Sequence, residues 1–212
     1  MDGGSDHAYA TSACVWGTDP EPLLTETARA APVSGWRVLD AGCGEGRNTA
    51  HLARLGATVR ALDISALAIE HAVRTSGELP GVSWEQADLR DVELPLAHYD
   101  LVVVDSVVHW LADADDAVRV ITRLREATKP GGRHLMCCFN DRHQELDGHR
   151  APPRFIPTHS WCLSLYDGWS VEAVRDETFV SSHAGVPREH GHSVTKVVAR
   201  RPTTPAPPEG AS

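Results

Sequence analysis

What this chain lacks sets its class before any motif is read. No run approaches the roughly 18 apolar residues of a membrane helix, and the polar opening, Met1 to Tyr9, has no apolar core of the signal-peptide kind. No basic stripe or tail offsets a net charge of -9, with 20 Lys and Arg against 29 Asp and Glu. Binding to a phosphate backbone needs clustered cations, so nucleic acid is not an expected partner. The five cysteines (Cys14, Cys43, Cys137, Cys138, Cys162) form no Cys-x-x-Cys pair, which fits free thiols in a reducing cytosol. No Walker loop with its lysine is present, excluding ATP chemistry of that type. No internal repeat is evident. The absences point to a cytoplasmic protein with a small-molecule partner and no membrane contact; a monomer or homodimer is expected, though the residues say little about oligomeric state.

What is present suits one globular domain: 212 residues, 42% hydrophobic and 23% charged. Residues 1–18 read as an irregular arm with Trp16-Gly17 as its anchor, and Glu21 to Ala31 as a short helix. From Trp36 onward apolar runs and helix-period segments alternate: strands at Trp36 to Asp40, Ala57 to Asp63, Val82 to Gln86, Tyr99 to Asp105 and Arg133 to Phe139. Ser65 caps a helix carrying Ala66, Ile69, Ala72 and Val73. Asp113, Asp115 and Asp116 open another, whose expected buried face is Val118, Ile121 and Leu124. The alternation implies a parallel, doubly wound sheet. It breaks after Phe139, where about 140–166 reads as a substrate-side insert with a short helix at Thr158 to Tyr166. Two late strands, Ser170 to Val180 and Ser193 to Arg200, suggest an antiparallel hairpin at the sheet edge. Residues 19–201 thus form the domain, and the proline-rich 202–212 reads as a disordered tail.

The stretch Asp40-Ala41-Gly42-Cys43-Gly44-Glu45-Gly46-Arg47-Asn48 joins the first strand to a helix, the arrangement in which backbone N–H groups cradle a nucleotide-like ligand. A dinucleotide fingerprint wants Gly or Ala where Arg47 stands, and Asp40 and Glu45 would repel a pyrophosphate while attracting a sulfonium and an ammonium. S-adenosylmethionine carries both cations and no phosphate. Asp63 ends strand two, where a carboxylate meets ribose hydroxyls. Asp88 ends strand three, placed for an adenine amino group with Leu89 over the ring. Any one of these acids suits a cap or a turn; three at successive strand ends argue for a site.

The segments Val-Leu-Asp-Ala-Gly-Cys-Gly-Glu-Gly-Arg-Asn, Ala-Leu-Asp-Ile-Ser, Gln-Ala-Asp-Leu, Tyr-Asp-Leu-Val-Val-Val-Asp and Lys-Pro-Gly-Gly resemble the successive motifs of class I S-adenosylmethionine-dependent methyltransferases, in order from Trp36 to Phe139. Gly-Arg-Asn at 46–48, Tyr-x-Gly-Trp at 166–169 and the closing Val-Ala-Arg-Arg are similar to the tellurite-resistance group. The resemblance implies a seven-stranded, mostly parallel, Rossmann-like α/β sheet whose last strand is antiparallel. It implies cofactor contacts from Asp40, Gly42, Cys43, Gly44, Asp63, Ile64, Ala87, Asp88, Leu89 and Asp105, with Arg47 and Asn48 meeting the methionine carboxylate. The tellurite group implies a thiol or chalcogen oxyanion as acceptor. Ala184 stands where that group has an arginine after the histidine matched by His183, a departure that weakens tellurite or selenite as the substrate.

Methyl transfer needs alignment above all, and only a hydroxyl or ammonium acceptor needs a base. His109, just after strand four, is the first candidate, with a helix-surface histidine beside Trp110 as the plain alternative. His183 and the pair His190/His192 follow. His-Gly-His on a strand aims both rings to one face, but no third ligand stands at a telling spacing, so no metal is expected. The alternative readings are O- or N-methylation of a secondary metabolite and a non-catalytic protein that only binds the cofactor.

Overall fold

The computed structural model describes residues 6–12, 14–149, 151–183 and 186–203, the side chains of His183 and Pro187 excepted. The elements are α1 (Asp6–Thr11), α2 (Pro22–Ala30), β1 (Arg37–Ala41), α3 (Arg47–Arg54), β2 (Thr58–Asp63), α4 (Ala66–Ser76), β3 (Val82–Gln86), β4 (Tyr99–Asp105), α5 (Ala114–Ala127), β5 (Thr128–Gln144), α6 (His159–Ser164), β6 (Ser170–His183) and β7 (Val186–Arg200). A 3-10 turn, Val108–Trp110, follows β4. The seven strands form one sheet in the order β3-β2-β1-β4-β5-β7-β6. The pairs on the β1–β4 side and the β4–β5 pair are parallel, while β7 runs antiparallel to both neighbours. That is the predicted mostly parallel sheet with its antiparallel last strand. β7 is inserted between β5 and β6, leaving β6 as the edge.

Strand alternation sorts the core into two layers. Leu39, Val102, Val104, Met136 and Val197 face α5 and α6. Their chain neighbours Val38, Leu101, Val103, Leu135 and Val198 face α2 and α3 through Leu23, Leu24 and Leu52. Burial on both faces is why β4 is an unbroken apolar run. Cap chemistry sets the helix starts: Ser65 accepts from Ala68 N–H, Asp113 from Asp116 N–H and Thr158 from Trp161 N–H.

Two predicted faces shift. α5 buries Ala117, Val120, Ile121 and Leu124, and Val118 is 43% exposed; α4 buries Ala68, His71 and Ala72, and Val73 is 47% exposed. A narrow stripe centred one residue away satisfies the same helical period, so spacing alone does not choose between them. The arm read as irregular carries helix α1, and its anchors are Tyr9 and Val15, which pack on Ala68, while Trp16 is 39% exposed. Most of the tail, 204–212, lies outside the described residues. Cys14 is exposed and the other four cysteines are buried, all as free thiols.

Candidate active site

The parallel strands β1–β4 end at one edge of the sheet, and there a cavity of about 660 Å³ opens between the glycine loop, the N-terminal arm and the far ends of β5–β7. Its position outside the carboxyl ends of the strands, where the order reverses between β1 and β4, is the expected ligand crevice of a doubly wound sheet.

One end is built by backbone. Gly42 has φ 81 and a methyl group there would collide with Val107, so only glycine fits. The N–H groups of Gly42 and Cys43 both donate to Leu62 O at 2.8 Å, folding the loop back on β2. Asp63 completes the clamp, accepting from Gly44 N–H at 2.8 Å on one oxygen and from Ser65 N–H at 2.9 Å on the other. Burial raises its pKa, partly offset by those donors. Each oxygen keeps lone-pair capacity for a ligand hydroxyl. Ile64, Ala87, Asp88 and Leu89 continue the wall. Asp88 is paired with Arg90, whose hydrogen bonds hold its carboxyl below the usual range.

The remaining predicted residues are placed less directly. Asp40 is buried beneath the loop, away from the cavity wall, where Oδ2 accepts from Thr49 Oγ1 at 2.6 Å and Oδ1 has no hydrogen-bond partner. Burial pushes its carboxyl up to about 7. Asp105 gathers both helix-start residues, accepting on Oδ2 from Arg47 at 2.6 Å and Asn48 at 3.0 Å. Next to it Ser106 has φ 62, a strained conformation for a non-glycine residue, held by its N–H bond to Cys137 O at 2.8 Å. Glu45 turns away from the loop. It accepts from Val15 N–H at 2.7 Å and Trp16 N–H at 3.2 Å and contacts His71, tying the arm over the cavity.

The other end is built by rings. His109 is 1% exposed and stacks on Phe139 with centroids 4.2 Å apart; Phe139 stacks in turn on His192 at 4.6 Å. Burial pushes His109 down to about 3, so it is neutral at physiological pH. Its Nδ1 accepts from Phe139 N–H at 3.3 Å, which leaves the ring proton on Nε2 and makes that nitrogen a donor. A histidine so held is a poor proton acceptor, so the role of base expected of it does not fit. His192 is the reverse case: Gln144 Oε1 lies 2.8 Å from its Nδ1, fixing the proton there and leaving Nε2 basic. The backbone of His183 ends β6 opposite Val186, and its side chain lies outside the described residues.

The insert closes over this end. Arg154 and Phe155 donate their N–H groups to His109 O at 3.0 and 3.3 Å, and Ala151, Pro153 and Arg154 line the cavity. His149, from the same stretch, joins His190 and His192 in one of two clusters among the described residues whose donor atoms lie within 4.8 Å of one another. The other is Glu21, Asp105 and Cys137. Sequence reasoning did not single out Phe139, Ser106 or His149 for the site, and no local signal marks them; Glu45, read as an acid flanking the ligand, serves the arm instead.

Residues 38–132 match the family described as a methyltransferase domain. An uncharacterised methyltransferase of Mycobacterium tuberculosis is 37% identical over 108 residues, 51% of this chain and 53% of that protein. A demethylmenaquinone methyltransferase of Clavibacter sepedonicus is 32% identical over 179 residues, covering 78% of this chain and 70% of that protein. The chain spans about half the length of the first curated relatives it matches. The solved structure of TehB from Haemophilus influenzae superimposes with a TM-score of 0.72 at 20% identity, over 85% of this chain and 62% of that one. At that identity the likeness is one of fold.

Proposed function

Because the chain belongs to the class I S-adenosylmethionine-dependent methyltransferases, we propose that it methylates a small-molecule acceptor bound against His109, Phe139 and His192, and that the acceptor is a thiol or a chalcogen oxyanion. The residues present fit the cofactor. Gly42 lines the cavity at positive φ, where only glycine lets the loop pack on Val107, and Asp63 retains acceptor capacity for two ribose hydroxyls. Leu89 and Ile64 would flank the adenine, with Asp88 near its amino group once Arg90 shares it. Arg47, Asn48 and Asp105 would meet the amino-acid end, with Asp105 orienting Arg47 and Asn48 toward its carboxylate. When bound, the cofactor supplies a methyl group on a sulfonium that is already a good leaving group.

The observation that carries the acceptor class is the state of His109. A buried imidazole pushed down to about 3 and donating through Nε2 does not take a proton from the acceptor, which favours an acceptor that arrives ionised or ionises with ease. Thiols, with an ordinary pKa of about 8.5, and chalcogen oxyanions satisfy that. His109 and Phe139 then shape and dry the acceptor end, and alignment does the rest. A second reading, O- or N-methylation, is favoured by His192, whose basic Nε2 is a possible proton acceptor.

Isothermal titration with S-adenosylmethionine, S-adenosylhomocysteine and NAD comes first. Micromolar binding of the first two is expected, weakened about 100-fold by Asp63→Ala, the cost of two charge-assisted hydrogen bonds. Binding of NAD alone would overturn the cofactor assignment. Thiols, selenite and phenols are then screened for methylated product. Turnover of phenols or amines only, lost in His192→Asn, would replace the soft-acceptor reading by the second one.

A further inference from the structure

Three histidines meet where β5, β6 and β7 run past the rest of the sheet. His190 and His192 alternate along β7, and His149 comes from the loop after β5. Their rings stand edge to face in every pairing: centroids 4.8 Å apart at 83° for His149 and His190, 5.4 Å at 73° for His149 and His192, and 4.8 Å at 84° for His190 and His192. Imidazoles sharing one tetrahedral ion, at about 2.0–2.1 Å per nitrogen, place their centroids about 5 Å apart. One ring nitrogen of each already lies within 4.8 Å of the other two. Ligand nitrogens on one tetrahedral ion lie about 3.3 Å apart, so closing on it draws these side chains inward from the spacing seen.

The surroundings choose the nitrogens. The carbonyl of Arg188, 2.9 Å from His190 Nδ1, can only accept, so that nitrogen carries the proton. Gln144 does the same for His192 Nδ1 at 2.8 Å. Both rings are thus set in the tautomer with a basic Nε2, the arrangement by which outer carbonyls orient metal-ligating histidines. His190 and His192 are buried, and His149 and His192 also line the cavity. The other cluster differs: Glu21 is met by Lys196 at 2.9 Å and Asp105 by Arg47 at 2.6 Å, so its charge is already matched by cations.

We propose that His149, His190 and His192 bind one divalent cation of the zinc class, with the remaining coordination position open to the acceptor end of the cavity and taken by the thiolate or oxyanion to be methylated. Three imidazoles with an open fourth position suit zinc above the hard cations. A bound acceptor loses its proton to solvent, because the cation favours the ionised form. This also supplies what the neutral His109 does not. The acceptor clause rests on the methyl-transfer reading, and the metal clause stands without it.

The test uses untagged, chelator-treated full-length protein titrated with cobalt(II), then zinc(II). Uptake of one equivalent of cobalt with visible absorption of a low-coordinate site, displaced by zinc, is the expected result. Loss of that uptake in His192→Ala and in the loop variant His149→Ala, each with an unchanged thermal unfolding profile, supports the assignment. No uptake, or equal uptake in wild type and both variants, overturns it. Adding 2-mercaptoethanol to the cobalt form should produce a thiolate-to-cobalt band, and its absence removes the acceptor clause. Metal uptake without any heat of S-adenosylhomocysteine binding would instead fault the methyl-transfer reading alone.

Discussion

The two ends of the cavity are built by different means. The glycine-loop end is made by segments close in sequence, Asp40 to Asn48 and Asp63 to Ser65, joined by backbone hydrogen bonds to Leu62 O and to the Asp63 carboxylate. The ring end draws His109, Phe139, His149 and His192 from four places along the chain and holds them by stacking and by the pairing of β5 with β7. Backbone geometry serves a ligand that does not change, whereas side chains on long strands and an insert can be exchanged without disturbing the sheet. The comparison predicts that damage at one end leaves the other working.

Gly42→Ala should do the most harm. Forcing a methyl group against Val107 at positive φ is expected to cost on the order of 3 kcal/mol, read as a lower urea midpoint together with lost cofactor binding. An unchanged midpoint would mean that the loop tolerates what the packing forbids. Phe139→Leu should be milder and confined to the ring end: turnover about 10-fold lower through misplacement of the acceptor, with S-adenosylhomocysteine affinity unchanged. Equal losses of both would erase the distinction between the ends.

Asp40→Asn should have the smallest effect at low pH, where the neutral carboxyl resembles the amide, and the most specific signature. The folded carboxyl titrates near 7, above its ordinary value of 3.8, so the fold binds a proton that the unfolded chain has released. Its contribution is therefore present at low pH and lost as pH rises through 7, at no more than about 1.4 kcal/mol per pH unit. The buried neutral His109 and His134, both pushed down to about 3, act in the opposite direction. The difference between variant and wild type isolates Asp40: urea midpoints at pH 5, 6, 7 and 8 should lie closest at pH 5, separate in favour of the variant as pH rises toward 7, and run parallel above it. Curves parallel over the whole range would show that Asp40 is charged throughout.

The sheet and the loop end were readable because their causes are local. A strand, a glycine turn and an acid at the next strand end sit within a few residues, and period and cap chemistry announce them. The misses follow the same logic. Val118 and Val73 satisfy a helical period, yet packing partners elsewhere in the chain decide that they face out. The Asp40 carboxylate looks like a ligand in the motif and is instead taken by Thr49 under the loop.

By itself the sequence determined the order of strands and helices, the late antiparallel hairpin, the glycine loop and Asp63 at the end of the second strand, since each depends on residues within one turn or one crossover. Tertiary structure alone decided that His109 is a buried donor, that Glu45 belongs to the arm, and that His149 meets His190 and His192. Those outcomes depend on desolvation and on which distant strands pair, and neither quantity is written in the spacing of residues along the chain.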